Sequence, residues 1–109
     1  MATTYKVLGQ SKPTAATNAD LYTVPSSTNA VVSTINVVNL NASADTVRIA
    51  VRPNGSTLAD EHYLIYDLSL AGKSSFTFTA GLTMDAADVV TVYSTNGYSA
   101  FSIFGSEVA

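Results

Sequence analysis

His62 is the only histidine of the chain and follows two acids, Asp60 and Glu61. An imidazole beside carboxylates is the raw material of a metal site or an acid–base pair. One histidine after two adjacent acids in a turn reads more simply as the solvated start of a strand. Asp85 and Asp88, three apart, are spaced like weak calcium ligands, but a calcium loop needs many more oxygens at fixed positions. The plainer reading makes Asp85 the cap of a short turn and Asp88 the start of a strand. The chain has no cysteine, which excludes disulfides, thiolate metal sites and cysteine nucleophiles. It has no glycine-rich phosphate loop, and any Ser/His/Asp triad would rest wholly on His62. No catalytic residue, metal or cofactor is therefore assigned, and an enzyme is not expected.

Arg48 and Arg52 fall on one face of an alternating strand. Guanidinium heads there either meet a partner's carboxylate or stay wet while their stems cover the sheet. No second polar cluster in the sequence converges on them, so a surface or interface role is expected rather than substrate binding. Asn41-Ala42-Ser43 and Asn54-Gly55-Ser56 match the glycosylation pattern but read as turns, because no secretory signal is recognisable. Six tyrosines and no tryptophan give weak support to sugar stacking, since tyrosine serves strands and protein interfaces equally well.

The elements that must position these residues follow from composition. The 109 residues suffice for one domain with a real core. Charged residues make up 12% of the chain, about half the usual ~25%, and Ser and Thr together about a quarter. A hydroxyl-rich surface suits exposed strand faces better than helices. The net charge of -3 with five scattered basic residues argues against nucleic-acid binding by counterion release. The opening MATTYKVLGQ lacks a signal-peptide pattern, and no apolar run approaches a membrane span. A soluble protein not exported by the general route is expected.

Asp88–Gly105 reads as two strand-like runs joined by Asn96-Gly97, the strongest short hairpin signal. That register would set Val92 opposite Phe101 and Val90 opposite Ile103 on a core face. Val89, Thr91 and Tyr93 would lie against Phe104, Ser102 and Ala100 on the second face, which is apolar enough to pack on another chain. Further strands are expected at Thr4–Gln10, Leu21–Val24, Ala30–Asn39, Thr46–Arg52, His62–Leu70 and Ser74–Ala80. Ala30–Asn39 looks buried on both faces. In His62–Leu70, Leu64, Tyr66 and Leu68 alternate with Tyr63, Ile65 and Asp67. Leu58–Glu61 is uncommitted, and Leu82–Ala87 reads as one turn of 3₁₀ or α structure. No 3.6-residue period persists over three turns, so no substantial helix is expected. About eight short strands imply an all-β chain: an antiparallel β-sandwich, jelly-roll or Ig-like, forming a single domain over 1–109. Residues 1–20 would form a partly extended N-terminal arm.

Six segments taken in order carry a resemblance: TTYKVLGQ at Thr3–Gln10, LYTVP at Leu21–Pro25, VVSTINVVN at Val31–Asn39, RIAVRP at Arg48–Pro53, DVVTVYS at Asp88–Ser94 and FSIFGSE at Phe101–Glu107. Together they resemble small virion structural proteins of tailed bacteriophages, particularly the cyanophage type. The resemblance spans nearly the whole chain and carries no catalytic residues. It implies a capsid decoration or cement subunit, or a component of the tail or its fibres. Such a subunit would bind itself as a symmetric homo-oligomer and other virion proteins such as the major capsid protein or tail proteins. A fibre location would add a surface glycan as a ligand. Assembly in the host cytoplasm needs neither signal peptide nor disulfides. The contacts expected from this reading are Val89, Thr91, Tyr93 and Phe104 on the apolar strand face, Arg48 and Arg52, and Tyr5 and Lys6 in the arm.

Overall fold

A computed structural model describes residues 2–79 and 81–109. Among these described residues nine strands follow in order: β1 (Thr3–Ser11), β2 (Ala19–Thr23), β3 (Asn29–Asn39), β4 (Asp45–Arg52), β5 (Tyr63–Leu70), β6 (Ser75–Phe78), β7 (Leu82–Met84), β8 (Val89–Ser94) and β9 (Ser99–Val108). One sheet runs β1-β9-β3-β6, with β7 also on β3; the other runs β2-β8-β4-β5. Every pairing is antiparallel. Only β4 and β5 are neighbours both in sequence and in a sheet; elsewhere the chain pairs strands distant in sequence. That two-sheet Greek-key order is the jelly roll, so the expected β-sandwich resolves to it and away from the Ig-like order. The only helical segments among the described residues are 3₁₀ turns at Pro53–Gly55 and Asp60–His62. None is long and apolar enough to cross a membrane.

Period-2 alternation builds the interior. Val32, Ile35 and Val37 of β3 and Phe101 and Ile103 of β9 meet Val47 and Ile49 of β4 and Val90 and Val92 of β8, all essentially solvent-free. Phe76 and Phe78 close the side of this core. Ala80, the expected end of that strand, lies outside the described residues. β3 is not buried on both faces, since Val31 on its outer side is 43% exposed.

The Asn96-Gly97 hairpin does not form. Val90, Val92, Phe101 and Ile103 are core residues as expected, but they face each other across the sandwich. β8 pairs β2 and β4, while β9 pairs β1 and β3. A type I′ turn needs positive φ at both central residues, and of this pair only Gly97 takes it, at 72°. Asp45 supplies the physical reason. Its carboxylate is 1% exposed and accepts hydrogen bonds from the Ser94 hydroxyl, the Ser99 hydroxyl at 2.7 Å, the Asn96 N–H at 3.0 Å and the Thr46 N–H at 2.8 Å. The link between β8 and β9 is thereby wrapped round one carboxylate and crosses from sheet to sheet.

Two other expectations change. Leu82–Met84 is a strand on β3 rather than a helical turn, because its backbone completes the edge of that sheet beyond β6. The N-terminal arm is not free. Thr3–Ser11 pairs along β9, and the following loop lies over the β8–β9 link, with Lys12 Nζ donating to the Gly97 carbonyl at 2.8 Å and Ala16 N–H to Ser94 O at 2.9 Å. Gly9 is required here, because a Cβ at that position would stand 2.2 Å from the Leu21 carbonyl oxygen.

Burial alone would push the Asp45 carboxyl up; the donors around it outweigh that and hold it below the usual carboxylate range. A folded value below the unfolded value of about 3.9 means its stabilisation is complete above that pH and is lost as pH falls through the lower folded value. Asp45→Asn is expected to cost about 3 kcal/mol at neutral pH in urea unfolding, and to flatten the decline of stability below about pH 4. Wild-type stability at neutral pH, or an unchanged acid limb, would contradict this role.

Candidate interaction surfaces

The outer face of β2-β8-β4-β5 carries a polar and aromatic cluster centred on Arg48. Its guanidinium lies 4.3 Å from the ring centroid of Tyr66 and 4.3 Å from that of Tyr93, and its Nε donates to Asp67 Oδ1 at 2.6 Å. Tyr93 is the cross-strand partner of Arg48, so that contact follows from register. Tyr66 and Asp67 arrive differently. Val47 pairs Leu68 and Ile49 pairs Ile65, leaving both Tyr66 and Asp67 opposite Arg48. This is a β-bulge with Asp67 at φ 53°, and it re-aims both side chains onto the same guanidinium. It also breaks the alternation expected for this strand. Ile65 and Leu68 together pack against the core, while Leu64 and Tyr66 are exposed. Tyr63 meets Tyr66 edge-on at 4.8 Å between centroids, and Asp60, Tyr63 and Tyr66 line an open hollow of ≈ 320 Å³.

Arg52 is used within the chain as well. Its Nη2 pairs Asp20 Oδ1 at 3.0 Å, its Nε donates to Thr91 Oγ1 at 3.0 Å, and its Nη1 donates to the carbonyls of Gly55 and Ser56. Both arginines therefore find carboxylates in their own chain, correcting the reading that no polar cluster converges on them. Asp20 and Asp67 were invisible as partners because each lies on another strand, 32 and 19 residues away. An Asp inside a strand-like run, where it is disfavoured, was the one available signal for the bulge.

The expected apolar face of Val89, Thr91, Tyr93 and Phe104 is divided between the two sheets. Val89 and Thr91 are buried beneath the Pro53–Gly55 turn and Arg52 respectively. Tyr93 is half-buried under Arg48, and Phe104 lies on the opposite sheet. His62 closes a local turn, its Nδ1 accepting from the Ala59 N–H at 3.0 Å. Asp85 and Asp88 both accept in their turn: Asp85 Oδ1 takes the Ala86 N–H at 2.8 Å, and the Asp88 oxygens take the N–H groups of Asp85 and Asn54. No group of three or more His, Cys, Asp or Glu side chains suited to a metal ion occurs among the described residues.

A second surface lies on the outer side of β1-β9-β3. Tyr5, Val7, Val31 and Phe104 line an open hollow of ≈ 560 Å³ together with Lys6, Ser33, Gly105 and Ser106. The register sets Tyr5 and Val31 on either side of Ser106, and Val7 beside Phe104. Tyr5 is 84% exposed and Val7 50%. Lys6 pairs Glu107 Oε1 at 2.8 Å, and Glu107 Oε2 accepts the Tyr22 hydroxyl at 2.5 Å. That chain of contacts joins β1 and β9 to β2 in the other sheet. The Lys6 ammonium, followed by the Tyr22 hydroxyl, holds the Glu107 carboxyl below its ordinary range. Burial, then the same carboxylate, pushes the Tyr22 phenol well above its usual value.

Comparison with protein-family models, with curated proteins and with solved structures finds no match.

Arg48→Ala is expected to cost about 1–2 kcal/mol from two ring contacts and a half-exposed ion pair. Arg48→Lys should recover the charge but not the planar stacking. A double-mutant cycle between Arg48 and Asp67 should give a coupling below about 1 kcal/mol that shrinks further in high salt. A coupling several times larger, or one indifferent to salt, would show a buried pair instead.

Proposed function

We propose that this chain is a non-enzymatic structural subunit of a tailed-phage virion, a decoration or cement protein that binds the capsid surface as a symmetric homo-oligomer. The observation that carries this reading is the outer face of β1-β9-β3, where Tyr5, Val7 and Val31 stand exposed beside Phe104. Contiguous apolar surface of this kind is what association between chains buries. The ordered segments that resemble small virion proteins support it. So, by analogy only, does the jelly roll, which viral capsid domains use among several other classes. The partners in this reading are further copies of the chain and the major capsid protein, and the site of action is the virion, assembled in the host cytoplasm.

A tail or fibre role with a receptor glycan is the second reading. The hollow lined by Asp60, Tyr63 and Tyr66 favours it, because two tyrosine rings and a carboxylate offer a stacking surface with a hydrogen-bond acceptor.

Light scattering of the purified chain at micromolar concentration should give a defined oligomer, and the chain should co-sediment with capsids. A stable monomer that leaves both capsids and tails unbound would overturn the structural reading. A glycan array separates the two: binding that disappears in Tyr66→Ala supports the fibre role, and a blank array removes it.

A further inference from the structure

β1 ends its sheet, and the hydrogen-bond pattern shows which of its backbone groups look outward. Ala2 and Ala109 exchange both N–H···O bonds at 3.0 Å, and the register continues without a break from Thr3↔Val108 to Val7↔Phe104. Residues of an antiparallel pair alternate between those that bond the neighbour and those that face away. Thr4 and Lys6 therefore bond β9, whereas the N–H and C=O groups of Thr3, Tyr5 and Val7 point to the open edge. Beyond Val7 the edge is closed to pairing, by the bulge between Val7 and Gly9 and by the approach of β2 at Leu21 to Gly9.

Exposed strand edges in native proteins are usually blunted by a bulge, a proline or an outward lysine. The Thr3–Val7 half of β1 has no such device. Its one charged residue, Lys6, is turned back onto Glu107 at 2.8 Å.

We propose that two copies of the chain pair their β1 edges antiparallel about a two-fold axis at Tyr5, joining two β1-β9-β3-β6 sheets into one continuous layer. This rests on the self-associating structural reading and names the interface within it. The segment is self-complementary, as an isologous contact demands. Tyr5 faces its own copy, and Thr3 faces Val7 of the other strand. All three outward residues then bond in register, and each Lys6 falls beside a Thr4 of the other copy, so no like charges meet. The axis brings the two Tyr5 side chains to adjacent positions, with Val7, Val31 and Phe104 of each copy continuing the apolar surface on one face of the joined sheet.

The chain has no native cysteine, which allows a register-specific test. Directly opposed residues in a bonded antiparallel pair have Cα atoms about 5.5 Å apart, within disulfide reach. Tyr5→Cys is expected to convert most of the full chain to a disulfide dimer under mild oxidation at low micromolar concentration. Thr3→Cys alone should stay largely uncrosslinked, whereas the Thr3→Cys/Val7→Cys double variant should link. Tyr5→Glu sets two like charges face to face and should weaken self-association about tenfold or more in light scattering, with an unchanged circular dichroism spectrum. Equal cross-linking from positions 3 and 5 would overturn the register. A wild-type trimer, or an oligomer indifferent to Tyr5→Glu and uncrosslinked at position 5, would overturn this interface while leaving the virion reading intact. A monomer that ignores capsids would remove that reading as well.

Discussion

The buried carboxylate of Asp45 is the constraint on which the topology turns. An ionised group inside a fold is tolerated only when its oxygens are satisfied, and here the donors come from separate segments. Thr46 belongs to β4, Ser94 ends β8, Asn96 lies in the connecting link and Ser99 opens β9. β8 and β9 lie in facing sheets, which pack about 10 Å apart, and the link must cross that gap. Gathering the end of one strand, the link and the start of the next around one carboxylate specifies the crossing. Asn39, equally buried, works beside it: its amide donates to the carbonyls of Ser43, Leu70 and Ala71 and its oxygen accepts the Asn41 N–H. The connections after β3, β5 and β8 are thus held at one end of the sandwich by two side chains, and the interior between the sheets is left to hydrocarbon.

The outer faces show how a chain with few charges deploys them. Arg48, Arg52 and Lys6 are each committed to a carboxylate on a different strand. Such pairs at half-exposed sites add little stability each; their effect is to cover and orient. Arg52 shields Thr91, Arg48 is held between two tyrosine rings, and Lys6 is drawn off the edge strand. With these three cations turned onto their own chain, the outer side of β1-β9-β3 is left with backbone amides, hydroxyls and a small apolar patch. Recognition on such a surface depends on strand register and shape rather than on long-range electrostatics.

The two sheets consequently differ in character. The β2-β8-β4-β5 face is self-contained, its aromatic and ionic groups satisfied by each other except around the Tyr63 and Tyr66 rings. The β1-β9-β3 face has an open edge and neighbouring exposed apolar side chains. In the proposed reading the chain joins its own kind along the β1-β9-β3 layer and presents the other sheet outward.

Eight of the nine strands were legible in the sequence, with β7 misread as a helical turn, and so was the inward face of most of them. Val47, Ile49, Val90, Val92, Phe101 and Ile103 are core residues because side chains alternate with period two, and that period is local. The all-β class follows from the same pattern and from the few Lys and Glu beside many Ser and Thr. Which strands are neighbours depends on contacts between segments far apart in the chain. Asn96-Gly97 carries a hairpin signal, yet one carboxylate from β4, distant in sequence, outweighs it. The face of Val89, Thr91, Tyr93 and Phe104 looked continuous only while β8 and β9 were taken as partners; once the chain crosses between sheets, those residues end on opposite sides. The Arg48 cluster was hidden for a related reason. A bulge shifts two residues of β5 against one of β4, and period-two reading fails at the residues where the count changes. Strand identity is a nearest-neighbour property of the chain, whereas pairing, crossing and bulging are set by contacts between segments that only the folded chain brings together.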